Sequence, residues 1–294
     1  DFVKDLPLQE FDDFIWDKII YANPVKKVDS LRILNRHKPL LTYDCIEEME
    51  KIKEHCPEAG VLLRIKVPND GSQVKFNHKF GLDYESAPDL IEQTIKAGIG
   101  VEGISFHAGS QCNNPLNFVK ALKYASDIFN ETDKRRLSVG ESVTKGYPIK
   151  ILDLGGGFPV KYNGEDQSFG GLAKIINKEL DRLFPIDKVD VLAEPGRFLV
   201  ANAGTAVGSV ILAKHSVSPP CYHIDDGVYG LFSAMVYDHL KIKMEAFKEG
   251  EKSECYVFGQ TCDGYDTISE NPDIKNTSKI FLPKLKTGDL IYVE

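Results

Sequence analysis

Three glycines follow an apolar run in Leu152-Asp153-Leu154-Gly155-Gly156-Gly157-Phe158. Residues without a Cβ leave the backbone N–H groups bare, and a turn of bare N–H groups can cradle a phosphate. The next apolar run ends in Ala193-Glu194-Pro195-Gly196-Arg197. An arginine on the loop after a glycine triplet suits a phosphorylated ligand. A third run, Gly103-Ile104-Ser105-Phe106-His107, leads into Ala108-Gly109-Ser110. There a flat imidazole could stack on a flat ring, and the Ser110 hydroxyl could donate to a phosphate. Taken singly, each feature has a plainer reading: a flexible turn, a solvated loop acid, a structural histidine. Their shared position at the ends of apolar runs is what favours a site.

Those runs are strand-like. Lys18–Tyr21, Leu40–Tyr43, Val61–Ile65, Val101–Phe106, Ile149–Leu154 and Val189–Ala193 have strand length, and several are rich in Val and Ile. Amphipathic helical patterns lie between them. Phe118, Leu122, Ala125 and Phe129 recur at helical spacing, as do Ile176, Leu180 and Leu183 between Ala173 and Phe184. This alternation predicts parallel βα units, about six of them, where a closed (β/α)₈ barrel needs eight. In such barrels the loops after the last two strands often build a phosphate site, which is where the glycine triplet and Arg197 fall. From about Gly204 the pattern changes. Ala206–Ala213, Cys221–Ile224, Tyr256–Gln260 and Leu290–Val293 read as strands, and only Ser233–Phe247 reads as helical. A mostly antiparallel β domain is expected over 204–294.

Composition narrows the function classes. The chain has 294 residues, 42% apolar and 27% charged, which suits one or two globular domains. The net charge of -8 argues against nucleic acid as a partner, because phosphate binding needs a basic face. No apolar run approaches the ~20 residues of a membrane helix. The six cysteines show no CxxC pair and no zinc-type spacing, so no metal site is expected and the thiols read as reduced and cytoplasmic.

Nine short motifs, in order, carry a family resemblance: Tyr21-Ala22-Asn23-Pro24, Val61–Ile65, Lys79-Phe80-Gly81, Ser105–Ser110, Leu154–Pro159, Ala193–Arg197, Asp226-Gly227-Val228-Tyr229-Gly230, Tyr237-Asp238-His239 and Thr261-Cys262-Asp263-Gly264. Together they resemble the eukaryotic ornithine decarboxylases, pyridoxal-phosphate enzymes of the alanine-racemase-like group. The resemblance implies a (β/α)₈ barrel followed by a β domain, and a homodimer with shared active sites. Here the barrel, incomplete at its start, would occupy 13–203, and 1–12 would be an N-terminal piece of the β domain. It implies that His107 stacks on the ring of pyridoxal 5'-phosphate. Ser110, Gly156, Gly157 and Arg197 would hold the phosphate, with Gly155 and Gly196 also among the cofactor-binding residues. Glu194 would pair with the pyridine nitrogen, keeping it protonated so that the ring accepts electrons, with Arg64 nearby.

The resemblance further implies that Tyr229, Asp238 and Asp263 line the substrate pocket, where two carboxylates would receive the distal ammonium of L-ornithine. Cys262 would handle the proton at the α-carbon. Cys262 and Asp263 would reach into the partner subunit's site, and Lys79 would form an ion pair across the dimer. The product would be putrescine, the first step of polyamine synthesis, and an antizyme-type inhibitory protein is a further expected partner. A related decarboxylase of lysine, arginine or diaminopimelate is the alternative within the family. The Thr-Cys-Asp-Gly form favours ornithine.

The family carries its cofactor on a lysine upstream of the Tyr-Ala-Asn-Pro motif, and Lys4, Lys18 and Lys26 do not match that position. The chain also stops short of a phosphate-binding tyrosine near the family's C-terminus. A piece of a longer enzyme is therefore expected, ahead of a shortened inactive homologue acting as a regulatory binding protein. Open sheet edges in a barrel without its first two units favour that order.

Overall fold

The structure, a computed structural model, describes Ile15 and residues 19–139, 149–161, 168–184, 189–270 and 277–293, with the backbone alone for 136–139. The N-terminal piece expected at 1–12 lies outside the described residues. The chain divides into two compact units, Asp1–Phe198 and Leu199–Glu294.

In the first unit the expected strands form as β1 (Ile20–Tyr21), β2 (Leu40–Tyr43), β3 (Val61–Arg64), β5 (Val101–Ser105), β7 (Ile151–Asp153) and β8 (Asp190–Leu192). They pair in the order β1-β2-β3-β5-β7-β8, every neighbour parallel. Two short strands missing from the sequence reading, β4 (Ser72–Val74) and β6 (Ser110–Cys112), pair antiparallel beside them. The helices α1 (Val28–Leu34), α2 (Ile46–His55), α3 (Ala87–Lys96), α4 (Pro115–Val139) and α5 (Phe169–Leu183) fill the crossovers.

Local chemistry explains their bounds. Pro88 stands in the first turn of α3, where its missing N–H costs nothing, and Ala87, Leu90, Ile91 and Thr94 form its buried stripe. Ser168 caps α5 by accepting from the Gly171 N–H at 3.2 Å. The core is continuous from Leu41, Leu63 and Ile104 on the strands to Ile91, Phe118, Leu122 and Ile176 on the helices. All four residues of β2 are buried, as in parallel sheets covered on both faces. By contrast, all three residues of β8 are exposed, because β8 ends the sheet.

The second unit has its own core, including Val210, Tyr222, Ile224, Val257, Leu282 and Ile291. Its sheet runs β11-β14-β9-β10-β12-β13, from β9 (Ala206–Lys214), β10 (Cys221–Ile224), β11 (Met244–Ala246), β12 (Ser253–Phe258), β13 (Ile280–Leu282) and β14 (Leu290–Val293). Only β10 with β12 is parallel. The helix expected over Ser233–Phe247 is much shorter. One 3₁₀ turn at Leu231–Ser233 leads into Ala234–Tyr237, and Met244–Ala246 is strand β11. The chain leaves the helix after Asp238 because His239 takes a left-handed φ of 53°, which a helix cannot continue.

Candidate active site

The glycine triplet is a packed cradle, not a loose turn. Gly155 and Gly157 have φ of 61° and 94°, a region that favours glycine. A Cβ on Gly155 would sit 2.0 Å from the Phe106 carbonyl oxygen, and one on Gly157 2.0 Å from that of Gly109. The loop is thus seated on the backbone that follows β5. The N–H groups of Gly156 and Gly157 donate to none of the described residues.

His107 lies directly on this loop; a Cβ on Gly156 would come within 3.0 Å of its Nε2. Its Nδ1 accepts from the Gly109 N–H at 3.0 Å, which places the neutral ring's proton on Nε2. Phe76 meets the imidazole edge-on, with centroids 5.0 Å apart. Burial, then the Arg64 charge, lowers the His107 pKa to about 4, so the ring is neutral near pH 7.

The acidic side of the site lies at the ends of β3, β7 and β8. Asp153 is fully buried, and its Oδ1 accepts from the Gly155 N–H at 2.9 Å. Its Oδ2 has no hydrogen-bond partner among the described residues. The Glu194 carboxyl is its neighbour. Burial first, then the Asp153 charge, raises the Glu194 pKa, with Arg64 opposing. Solvent reaches Glu194 at the open end of the sheet and moderates this effect. A proton on Glu194 turns repulsion between two carboxylates into a hydrogen bond for Asp153 Oδ2. Arg64 at the end of β3 is held in the field of Glu194, Asp44 and Asp153, with its guanidinium 5.1 Å from the Phe80 ring centroid.

These elements enclose a cavity of about 190 Å³ lined by His107, Ser110, Gly156, Gly157, Glu194, Gly196 and Arg197, with Phe76, Gln111, Phe158 and Phe198 completing the wall. Seven of the expected cofactor residues therefore share one cavity. Gly155 shapes the turn beneath it, and Arg64 acts on it electrostatically. Sequence reading missed Gln111, the phenylalanines and Asp153, although Asp153 directly precedes Leu154 and the triplet. No metal-ligating cluster of three or more His, Cys, Asp or Glu occurs among the described residues.

The expected substrate residues all lie in the second unit. Tyr229 donates its hydroxyl to Asp263 Oδ2 at 2.8 Å, and Cys262 beside it is exposed. Asp238 ends the short helix and is half-buried. Beneath these loops lies Asp266, 2% exposed, which sequence reading also missed. It accepts from the Val228 N–H at 2.9 Å, the Thr261 N–H at 3.0 Å and the Thr261 hydroxyl at 2.7 Å. Asp266 therefore ties the Tyr229 loop to the Cys262–Asp263 loop. Lys79 stands apart from the cavity, exposed, over the Phe80 ring at 4.9 Å.

A glycine cradle, an arginine, a neutral flat histidine and an acid at strand ends of a parallel β/α sheet define a pyridoxal-phosphate-binding domain. The sequence profile of the "Pyridoxal-dependent decarboxylase, pyridoxal binding domain" matches residues 13–201, and the chain belongs to this family of decarboxylases of ornithine, lysine and arginine type. A lysine/ornithine decarboxylase of Selenomonas ruminantium is 35% identical over 94% of this chain and 66% of its own length. Antizyme inhibitor 2 of Xenopus laevis is 31% identical over 95% of this chain and 61% of its own. The crystal structure of a double-cysteine variant of SrLDC with PLP superposes with a TM-score of 0.82 at 34% identity, covering 97% of this chain and 70% of that one. The chain thus spans about 61–66% of the length of these two curated relatives. The fold is a curled parallel β/α sheet, part of a TIM-type barrel, followed by a mixed, mostly antiparallel β-barrel domain. No described helix is long and apolar enough to cross a membrane.

Proposed function

We propose that this chain is the larger part of a cytoplasmic enzyme that decarboxylates L-ornithine to putrescine and carbon dioxide. The observation that carries the reading is the convergence of His107, Ser110, the glycine cradle, Glu194 and Arg197 on one cavity. The bare N–H groups of Gly156 and Gly157, the Ser110 hydroxyl and Arg197 would hold the phosphate of pyridoxal phosphate, with Gly155 and Gly196 shaping the loops. The neutral His107 ring would cover one face of the pyridine ring. Glu194, with its raised pKa, would hold a proton available to the pyridine nitrogen, and Arg64 would restrain the carboxyl. The bound cofactor supplies an electron sink for the pair left on the α-carbon as carbon dioxide departs.

The second unit would supply substrate recognition. Asp238 and Asp263 offer carboxylates for a distal ammonium, and Tyr229 orients Asp263 through its 2.8 Å hydrogen bond. Cys262, exposed on the same loop, is suited to move a proton at the α-carbon. A homodimer would bring Cys262 and Asp263 to the partner subunit's site, with Lys79 pairing across the interface. The Selenomonas relative's name covers lysine as well as ornithine, so a substrate panel decides between the two.

A second reading is a non-catalytic binding protein that engages an antizyme-type inhibitor. It is favoured by a cavity wall without a lysine among the described residues, and by the likeness to antizyme inhibitor 2. Incubation with pyridoxal phosphate, borohydride reduction and peptide mass mapping of the full-length protein tests both. One labelled lysine upstream of Tyr21, with putrescine formed from ornithine, supports the enzyme. No site-specific label and no putrescine supports the binding protein.

A further inference from the structure

Gln111 occupies the middle of β6, directly after Ser110, and is 4% exposed. Its φ is 53°, in the left-handed region where an unbranched glutamine is uncommon and glycine or asparagine would sit with less strain. Its side chain offsets that strain in one way. The amide Nε2–H donates to the Val160 carbonyl oxygen at 2.5 Å, while Oε1 accepts from the Val160 N–H at 2.9 Å. A single side chain thus makes the paired donor and acceptor bonds of a strand rung. It makes them to the residue where the chain leaves the glycine cradle.

Two further contacts hold the same segments. The Cys112 N–H donates to the Gly157 carbonyl oxygen at 2.8 Å. On its other edge β6 pairs with β4, Val74 opposite Ser110 and Ser72 opposite Cys112. Ser110 and Gly157 therefore belong to one backbone assembly, with Gln111 as its only side-chain clamp across to Val160 among the described contacts. Both residues line the cavity.

We propose that Gln111 is a positioning residue for the cofactor's phosphate. By clamping Val160 it fixes the separation between the Ser110 hydroxyl and the N–H groups of Gly156 and Gly157, so that both converge on one phosphate group. This rests on the cavity being the pyridoxal-phosphate site. Strained backbone retained beside a ligand site is the expected mark of such a constraint. A clamp needed only for stability would act equally on ligands with and without a phosphate.

The test uses pyridoxine 5'-phosphate and pyridoxine, neither of which has an aldehyde to label surface lysines. Calorimetric affinities of both are measured for the whole chain and for Gln111→Gly and Gln111→Glu. The glycine variant removes strain and clamp together. The glutamate variant keeps the acceptor but sets an oxygen against the Val160 carbonyl. The expected result is a loss of about tenfold for pyridoxine 5'-phosphate in both variants, as for a pair of lost hydrogen bonds, with pyridoxine within about twofold of the parent. An unchanged preference for the phosphorylated ligand overturns the clamp, as does an equal loss of both ligands, including loss through misfolding. If the parent chain itself shows no preference for the phosphorylated form, the cofactor reading of the cavity fails first, and the clamp with it.

Discussion

The two units hold their candidate residues in opposite ways. In the first, the side chains stand at the ends of parallel strands, and the loop between them is packed backbone against backbone. In the second, Tyr229, Cys262 and Asp263 are exposed, on loops held from beneath by one buried carboxylate, Asp266. A site for a cofactor that stays through many turnovers gains from rigid backbone donors, which need no reorganisation. Residues that meet an arriving and departing substrate gain from loops whose anchor is stable but whose tips are free to adjust. The first arrangement is broken by adding an atom, the second by removing one.

Adding an atom should have the largest effect. Gly157→Ala demands a positive φ of alanine and drives its Cβ toward the Gly109 carbonyl, so the cradle must move. We expect a loss of about 3 kcal/mol or more in stability and no measurable affinity for pyridoxine 5'-phosphate. Thermal unfolding and calorimetry would check this; a variant that binds as the parent does would mean that the loop is loose after all. Removing an atom group comes next. Asp266→Ala strands the buried Val228 N–H and frees the Thr261 N–H and hydroxyl, and should cost about 2 kcal/mol. It should leave pyridoxine 5'-phosphate affinity unchanged. Equal damage to both units from this substitution would end the distinction drawn between them.

This contrast also sets how much was legible in the sequence. Short apolar runs alternating with period-3.6 patterns located all six parallel strands; β2 is apolar because it is buried on both faces, whereas β8 was found by its apolar residues although they are exposed. The glycine triplet announced itself because no other residue type tolerates both its φ values and its contacts. Ser72–Val74 and Ser110–Cys112 escaped notice, since three-residue polar strands carry no periodic signal. The helix expected over Ser233–Phe247 failed because a left-handed His239 leaves no mark on composition. Gln111 and Asp266 escaped for a related reason. Each acts through hydrogen bonds to backbone distant in sequence, Val160 in one case and Val228 in the other, and nothing local reveals such a partner. Motif resemblance reached the exposed loop residues only because their order along the chain is distinctive.

The rigid cavity should also have an acid limb at higher pH than any from the Asp263 carboxyl of the loops. His107 has its pKa lowered from 6.5 to about 4, so protonation favours the unfolded chain. Its contribution is complete above pH 6.5 and is lost as the pH falls toward 4. The span of that loss is at most about 3 kcal/mol and less with solvent screening. Replacing it by a group that never charges, as in His107→Phe, should flatten stability between those two pH values, read from denaturant midpoints. An unaltered slope would place the imidazole in solvent.

The smallest effect belongs to the loop tips. Tyr229→Phe deletes the 2.8 Å hydrogen bond to Asp263 but leaves Asp266 and its contacts in place. Both partners are exposed, so stability should hardly change. The electrostatic consequence is more informative. The Tyr265 N–H first, and the Tyr229 hydroxyl second, hold the Asp263 pKa below its usual value. In the variant the pKa should therefore rise part of the way back, because the backbone donor remains. A carbon-detected NMR titration of the Asp263 carboxyl would show it. A rise without loss of stability means that the loop tip is tuned separately from its anchor, as an adjustable recognition loop requires. A stability loss comparable to that of Asp266→Ala would mean that the tip is part of the anchor, and that the second unit is as rigid as the first.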